Sequence, residues 1–400
     1  MKQKFINILL CILFCISSIP VTGTILTDQC YSQTQNRMFG GKTLYVGGSG
    51  PGNYTTIQAA INDASDGDTV FVYNGTYKLY TNGFFGITVN KSIRLLGENK
   101  SNTIICPGPN CIILVLIHII SDYVYMSGFS LITENFNADY LIGHIRIDSH
   151  YNTICGNILR HILSKPEVAA IHLNNSSSNT ITDNNISAQS YGTILIGILL
   201  YNSSHNIISG NQVHCCLDCI GINNGSNNII SRNMIKKTGH GVRLLHSCNN
   251  IISQNDFGFL TMSGIVTNYE SNNNTISENH FGDTEQYVIN YGIIIGNSSD
   301  TRIIKNTFIK NVLCCIQLHR SSNTTITYNN FLETRFLNAF FIDLSRSNNA
   351  WDHNYWGRLR IFPKIIFGEQ TVNGRTTLKF QVDWHPARTP FTIKGNEEES

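Results

Sequence analysis

The chain has 400 residues, of which 14% are charged, and its 28 basic and 26 acidic residues give a formal net charge of +2. With no basic run and a basic excess of only two residues, the composition gives no electrostatic indication of nucleic-acid binding. The length would accommodate two domains, but one repeated motif covers more than half of the chain and predicts a single long domain.

The first 23 residues are predicted to be a secretory signal peptide. Lys2 and Lys4 precede an apolar run from Phe5 to Val21, and small residues follow near Gly23. Residues 24–42 are predicted to be a linker, and no later segment reaches the roughly 18 apolar residues of a membrane span. The sequence therefore predicts a mature protein that is secreted or held at the cell surface, with no membrane span after the signal is removed.

Residues 43–80 differ from the repeat that follows them. Residues of about 55–64 place Ile57, Ala60, Ile61 and Ala64 on one helical face, with Thr55 or Thr56 as the N-cap. A solenoid must cover the open end of its core. We therefore predict that this helix caps the N-terminal end of a domain that spans residues 43–356.

From residue 152 to residue 356 the phrase Asn-x-x-Ile-Ser/Thr-x-Asn-x-hydrophobic recurs nine times. Its best-preserved positions are asparagines: Asn157, Asn184, Asn211, Asn233, Asn255, Asn279, Asn306, Asn329 and Asn354. They are 22 to 27 residues apart. A period of this size is typical of a solenoid in which each coil buries its apolar side chains against its neighbours.

Two further columns are apolar in every repeat, at the positions three before and two after each asparagine. The first runs from Ile154 to Trp351 and the second from Leu159 to Trp356, with Phe257, Phe281, Phe308 and Phe331 in the second. Short alternating strands such as Gly241–Leu244 precede each phrase, and no helical periodicity is sustained. The predicted fold is an all-β, right-handed parallel β-helix of eleven or twelve coils, in which the asparagines stack as a structural ladder and the aromatic rings form core.

Residues 357–400 are predicted to form a C-terminal cap and tail. Two strand-like runs, 364–367 and 377–382, flank an Asn373-Gly374 turn and lead to the segment Asp383-Trp384-His385-Pro386. This pattern indicates a hairpin that packs on the last coil.

Ten cysteines follow the predicted cleavage site, and Cys106 and Cys111 bracket a tight turn where a disulfide is plausible in an oxidising compartment. The segment His214-Cys215-Cys216-x-x-Cys219 carries soft-metal donors, but Cys314-Cys315 lies four coils away, on the order of 19 Å. Because that pair cannot complete the same site, we expect no metal there and no cofactor elsewhere. Vicinal strand residues point to opposite faces, so about half of these thiols are expected to be buried.

The Asn-x-x-Ile-x-x-Asn-x-Phe coils, the entry Gly67-Asp-Thr-Val…Asn74-Gly-Thr-Tyr77 and the exit Asn354-Tyr-Trp-Gly357 resemble the NosD-type β-helix proteins of the pectin-lyase-like superfamily. The resemblance extends to the secreted surface proteins of archaea and covers nearly all of the mature chain. It implies export and either association with polysaccharide or an accessory role in the maturation of a copper enzyme.

A second stretch is similar to the polygalacturonases: Asp218-Cys-Ile-Gly-Ile, followed one coil later by Gly239-His240-Gly241. This likeness makes Asp218 and His240 candidate catalytic residues. Inverting hydrolysis requires a second carboxylate, and the neighbour of Asp218 is Leu217. A polysaccharide hydrolase or lyase with a degenerate site is therefore the alternative to a protein without catalytic activity.

The outward positions of the alternating strands form two polar patches. One comprises His144, Arg146, Asp148, His172 and Asn174, and the other comprises Gln317, His319 and Asp343. Planar and polar side chains on a flat repetitive face suit sugar hydroxyls, although a solvated sheet face carries similar residues. We therefore predict a non-catalytic surface protein whose partner is a polysaccharide or cell-envelope glycan bound at these residues.

Overall fold

The computed structural model describes residues 40–80, 83–109, 113–133, 143–161, 167–188, 194–214, 216–282, 289–343, 347–372 and 375–393. The predicted signal peptide and most of the predicted linker lie outside these ranges, so both remain predictions. From Gly41 onward the chain belongs to one compact unit. It is a right-handed parallel β-helix of about eleven turns, which confirms the predicted fold class.

Three short strands make up each coil. In chain order they begin with β1 Thr43–Val46, β2 Thr69–Val72, β3 Gly75–Leu79, β4 Phe85–Val89, β5 Arg94–Gly97, β6 Thr103–Pro107, β7 Val115–Ile119, β8 Tyr125–Ser127, β9 Ser130–Thr133, β10 Gly143–Ile147, β11 Thr153–Cys155 and β12 Ile158–His161. They continue with β13 Glu167–Asn174, β14 Thr180–Thr182, β15 Asn185–Ala188, β16 Ile194–Tyr201, β17 Ile207–Ser209, β18 Gln212–His214, β19 Cys216–Asn223, β20 Ile229–Ser231, β21 Met234–Leu245 and β22 Ile251–Ser253.

The later coils contain β23 Asp256–Asn268, β24 Thr275–Ser277, β25 His280–Gly282, β26 Ile289–Gly296, β27 Arg302–Ile304, β28 Thr307–Ile309, β29 Cys314–His319, β30 Thr325–Thr327, β31 Asn330–Leu332, β32 Leu337–Asp343 and β33 Ala350–Asp352. The chain then forms β34 Lys364–Val372 and β35 Arg375–Asp383. One helix, α1 Ile57–Asp63, follows β1.

Strands at the same place in successive coils pair in parallel and form three sheets. The first sheet runs from β1 and β2 through β11 and β20 to β33, and the second from β3 and β6 through β12 to β31. The third sheet, which carries the candidate site, contains β4, β7, β10, β13, β16, β19, the C-terminal parts of β21 and β23, β26, β29 and β32. β21 and β23 are each one long strand, whose N-terminal part belongs to the second sheet and whose C-terminal part belongs to the third.

The interior is filled by the two predicted apolar columns, whose members are at most 4% exposed. The rings of Phe257, Phe281, Phe308 and Phe331 stack with centroids 4.8 to 5.2 Å apart, and Trp356 continues the stack at 4.5 Å. Glycines face this stack: a Cβ at Gly264 would lie 2.5 Å from the Phe281 ring. The aromatic column is therefore core, as predicted.

The ladder asparagines are buried and connect three coils at once. Asn233 Nδ2 donates to Ile208 O of the preceding coil and to Asn255 Oδ1 of the following coil, both at 2.9 Å. The backbone N–H of Asn233 donates to the same Asn255 Oδ1 at 3.0 Å. Each carboxamide thus hydrogen-bonds to backbone N–H and C=O groups of the turns that have no partner in a β-sheet. Buried backbone polar groups need such partners.

The residue that adopts the left-handed conformation is not the ladder asparagine. It is the residue immediately before it, as in Asp183, Arg232, Gln254 and His353, whose φ angles lie between 53° and 57°. The side chains of the ladder asparagines are needed for hydrogen bonds up and down the stack, while the preceding residue, which is exposed or half-buried, makes the turn.

Helix α1 begins after Thr56, whose side chain accepts a hydrogen bond from the backbone N–H of Ala59. Its residues Ile57, Ala60 and Ile61 belong to the hydrophobic core. At the other end, β34 and β35 form an antiparallel hairpin that pairs with β32 and β33. None of the described helices is long and apolar enough to cross a membrane.

The hairpin also ends the asparagine ladder. Asp383 Oδ2 accepts hydrogen bonds from Asn354 N and Asn354 Nδ2 at 3.0 and 3.2 Å, where a further asparagine would otherwise stand. It also accepts one from Trp356 Nε1 at 3.0 Å. Asp383 therefore joins the C-terminal segment to the last coil.

The cysteine predictions have mixed outcomes. Cys111 and Cys215 lie outside the described residues, so the disulfide with Cys106 remains a prediction. Cys314 and Cys315 are both buried, contrary to the expectation that only one of two vicinal thiols would be. The outward-pointing Cys314 pairs in register with Leu337 of the next coil, and burial raises its thiol pKa to about 12.

We predict that Asn255→Ala destabilises the β-helix by about 2–4 kcal/mol, because the backbone carbonyls of Ile230 and Ser253 and the donors of Asn233 lose their partner together. Urea unfolding followed by circular dichroism measures the change. The control is Asn90→Ala at an exposed strand end, which should change stability by no more than about 0.5 kcal/mol. Equal effects of the two substitutions would contradict a structural role for the ladder.

Candidate functional site

Three polar side chains from adjacent strands of the third sheet converge on the carboxylate of Asp148. Arg146 donates from Nε to Oδ2 at 2.7 Å and from Nη2 to Oδ1 at 3.0 Å. Asn174 Nδ2 donates to Oδ1 at 2.8 Å, and His118 Nε2 lies 2.6 Å from Oδ2. We call these four residues, together with His172, the Asp148 cluster.

The strand register brings the cluster together. Arg146 on β10 pairs with His118 on β7 and with His172 on β13. The residues on either side of Arg146, Ile145 and Ile147, are fully buried in the core. Because side chains alternate along a strand, these three outward side chains form one row, as the sequence predicted for Arg146 and His172.

Hydrogen bonding dominates the electrostatics of Asp148. Burial alone would raise the pKa of its carboxyl, but the hydrogen bonds from Arg146, Asn174 and His118 outweigh burial and lower the pKa to about 2. The Asp148 and Arg146 side chains keep exposed fractions of 24% and 28%. The ion pair is therefore fixed in the protein and still reachable by a ligand.

His172 has unused hydrogen-bonding capacity. Neither of its ring nitrogens has a hydrogen-bond partner in the protein. Burial and the neighbouring charge of Arg146 lower the pKa of His172 to about 4, although Asp148 opposes the shift. At neutral pH the ring is uncharged, and the side chain is half-buried with both of its nitrogens shielded from solvent.

Aromatic rings lie on two sides of the cluster. Phe85 stacks on His118 with centroids 3.8 Å apart. Tyr201 on β16 pairs in register with Asn174 and is 42% exposed. His118 and Phe85 were not predicted from the sequence. A signal for His118 was present, because it occupies the outward place of an alternating apolar segment, Val115–Ile119, as Arg146 does in Gly143–Ile147.

The structure corrects two predicted members of the polar patches. His144 is fully buried, and its Nε2 lies 3.3 Å from Arg160 O, so it belongs to the interior. In the second patch, Gln317 pairs with Phe340 and His319 with Ile342. Asp343 lies one residue further along and is 5% exposed, so these three residues do not form one outward row.

Asp343 has a local partner instead. Ser347 Oγ donates to its Oδ2, and burial raises the pKa of the Asp343 carboxyl although this hydrogen bond opposes the shift. Strand β32 alternates strictly, and its buried phase contains Ala339, Phe341 and Asp343, so Asp343 does not lie on the outward face. The alternation alone could not show where that phase begins.

Asp218 and His240 are neighbours in register on β19 and β21. Arg243 Nη2 lies 2.7 Å from Asp218 Oδ2, and the Asp218 side chain is 3% exposed. Burial raises the pKa of the Asp218 carboxyl, with Arg243 and His240 opposing the shift. Asp218 Oδ1 and His240 Nδ1 have no hydrogen-bond partner in the protein.

The Asp148 and Asp218 carboxylates belong to different coils. Their strands β10 and β19 are separated by β13 and β16, so three strand spacings, on the order of 14 Å, lie between them. An inverting pair of carboxylates lies within roughly 10 Å. These two carboxylates therefore cannot act as one hydrolytic pair.

Comparison with protein families adds an independent observation. Residues 196–357 match the family described as "Periplasmic copper-binding protein (NosD)". This region forms a NosD-type parallel β-helix. The match covers the coils from β16 to β33, so it confirms the resemblance carried by the repeated asparagine phrase. No curated protein matches the chain.

The same fold is found in several solved structures. A mannuronic acid-specific family 6 polysaccharide lyase from human gut microbiota has a TM-score of 0.60 at 14% identity, with 83% of each chain covered. The A-module of the Azotobacter vinelandii mannuronan C-5 epimerase AlgE4 has 0.52 at 14% identity, with 74% of this chain and 90% of that chain covered. DFA-IIIase from Arthrobacter chlorophenolicus A6 has 0.52 at 14% identity, with coverages of 76% and 86%. At these identities the likeness shows the fold.

The family description names copper, so the donor sets of the described residues are relevant. One group of histidines and carboxylates in this part of the chain brings its donor atoms within 4.8 Å of one another: Asp352, His353 and His385. Imidazole nitrogens suit copper and zinc ions, and this set therefore fits such a metal. This set was not predicted from the sequence, because His385 is 32 residues after His353.

We predict that Asp148→Asn lowers stability by about 1–2 kcal/mol at neutral pH, a value reduced for the partial exposure of the ion pair. The pKa of Asp148 is lower in the folded state, so its contribution is present above the unfolded pKa and is lost as pH falls toward about 2. Thermal melts between about pH 7 and pH 2 should show wild type and variant converging at the acid end.

The control for this series is Asp300→Asn, at an exposed corner of the first sheet. It should change stability by no more than about 0.5 kcal/mol. A difference between wild type and Asp148→Asn that stays constant or grows toward low pH would contradict the assignment.

Proposed function

We propose that this protein is a non-catalytic, secreted or cell-surface β-helix protein that binds a glycan across the outward face of its third sheet. The observation that carries the proposal is the Asp148 cluster. It combines a fixed carboxylate and guanidinium, a half-buried uncharged imidazole, and flanking aromatic rings. Sugars present hydroxyl groups and apolar ring faces, which this set of side chains complements.

The row of outward side chains continues along the helix axis from the cluster. Asp148 is followed by Asn174, Tyr201 and Asn223, with Tyr201 and Asn223 in register on adjacent strands. Amide and phenol groups repeating at about 4.8 Å suit an extended chain of sugars better than a compact ligand. The fold neighbours support this class of ligand, since their names give a polysaccharide lyase and a mannuronan epimerase.

Export is part of the proposal. The NosD description names a periplasmic family, which supports a location outside the cytoplasm. The predicted signal peptide at residues 1–23 would provide the route. Expression with and without these residues, followed by fractionation, tests this part separately.

We predict that the mature chain binds one or more polysaccharides on a glycan array and that His172→Gln and Tyr201→Ala each weaken binding about tenfold, or about 1.4 kcal/mol. Each variant removes a contact on the outward row without touching the ladder. The control is Tyr269→Ala, at another exposed tyrosine, which stacks on His246 at a corner. Binding that none of these substitutions changes would place the ligand elsewhere.

A second candidate function is supported by Asp218. A buried carboxyl group with a raised pKa beside a histidine has the properties of a general acid, and Arg243 could hold an acidic sugar. If the protein is a hydrolase or lyase, it will release oligosaccharide from the bound polysaccharide, and Asp218→Asn will abolish release without changing affinity. Release by the wild-type protein would overturn the non-catalytic proposal.

A further inference from the structure

Three potential metal ligands meet beside the last coil, far along the helix axis from the Asp148 cluster. Asp352 Oδ2 lies 2.7 Å from His353 Nδ1, and Asp352 Oδ1 lies 2.9 Å from His385 Nδ1. The side chains are 42%, 46% and 70% exposed in the order Asp352, His353, His385. Both imidazole Nδ1 atoms therefore point at one carboxylate from two directions, at a surface that an ion can reach.

Asp352 and His353 are fixed by the coil itself. Asp352 ends β33, where it pairs with Thr327 of the preceding coil. His353 occupies the left-handed corner position, with φ of 53°. Its ring stacks on that of Tyr328 at 5.3 Å, the residue at the same corner one coil earlier. The repeat thus sets both the backbone and the ring orientation of His353.

His385 comes from the C-terminal segment and is fixed through Asp383. The backbone N–H of His385 donates to Asp383 Oδ1 at 3.2 Å, and Asp383 is fully buried at the end of the asparagine ladder. Two residues later, Ala387 N donates to Asn354 O at 3.0 Å. The segment that carries His385 is therefore tied to the core on both sides.

The donor set has a defined chemistry. Two imidazole nitrogens and one carboxylate oxygen, with the remaining positions open to solvent, suit divalent transition metals such as copper and zinc. Calcium and magnesium prefer sites made of oxygen ligands only. Ligand residues held by packing and second hydrogen bonds lose little freedom when an ion binds.

We propose that Asp352, His353 and His385 form a binding site for one divalent copper or zinc ion. Such an ion would take up the positions between the carboxylate and the two Nδ1 atoms, in place of the hydrogen bonds that now join them. It would tie the C-terminal segment to the last coil by a second link beside Asp383.

The test uses the mature, untagged chain after treatment with a chelator, titrated with Cu²⁺, Zn²⁺ and Ca²⁺ by calorimetry. We expect one Cu²⁺ or Zn²⁺ per chain, Cu²⁺ binding more tightly in accord with the general order for divalent ions, and no Ca²⁺. His353→Gln and His385→Gln should each weaken binding at least about 100-fold, the upper end of the effect of losing a supporting residue around a ligand.

The matched control is His246→Gln. His246 is also exposed, has a left-handed φ of 50° and stacks on a tyrosine, Tyr269, at 5.5 Å, so it shares the setting of His353 without the carboxylate and the second histidine. It should leave affinity unchanged. Circular dichroism and thermal melting of each variant establish that the β-helix is intact.

Electron paramagnetic resonance of the Cu²⁺ form gives a second readout that does not depend on affinity. Two imidazole nitrogens should couple to the copper in the wild-type protein and in His246→Gln, and one in His385→Gln. The proposal is overturned if no ion binds, if Ca²⁺ binds equally well, or if His353→Gln and His385→Gln behave like the control.

Discussion

The buried asparagine ladder is the interaction on which the rest of the structure depends. At each corner the chain turns out of one strand before it enters the next, and this leaves backbone groups inside the protein that no β-ladder reaches. The carboxamides bind these groups in the coils before and after them, as Asn233 does with Ile208 and Asn255. Without that compensation the burial of each corner would cost more than its apolar neighbours could offset.

The ladder also determines which residues are available for function. Because its asparagines are buried, the residue before each one makes the exposed left-handed turn, and its side chain is free to vary. His353 occupies this position in the last coil, while Asp383 takes the place of the next asparagine in the ladder. The same structural feature therefore supplies one of the proposed metal ligands and positions the segment that carries another.

On the third sheet, function depends on strand register rather than on turns. Parallel pairing without a shift keeps Arg146 beside His118 and His172 and brings all three near Asp148. The outward row of the third sheet becomes more apolar along the helix axis. Arg146 and His172 occupy this row in the early coils, whereas Leu199, Val266 and Ile294 occupy it in later coils. This restricts the polar contacts to a few coils and separates the Asp148 cluster from Asp218.

The sequence by itself determined the fold, the ladder and the buried columns, because a period repeated nine times constrains every coil to bury the same positions. It also identified Arg146, Asp148, His172 and Asn174, since strict alternation fixes which residues point outward. It placed His144 and Asp343 wrongly and missed His118 and the group around Asp352. Strand phase in irregular coils, and contact between His353 and a histidine from the C-terminal segment, depend on how the chain packs in three dimensions. Only the tertiary structure decides them, because no local period connects the residues concerned.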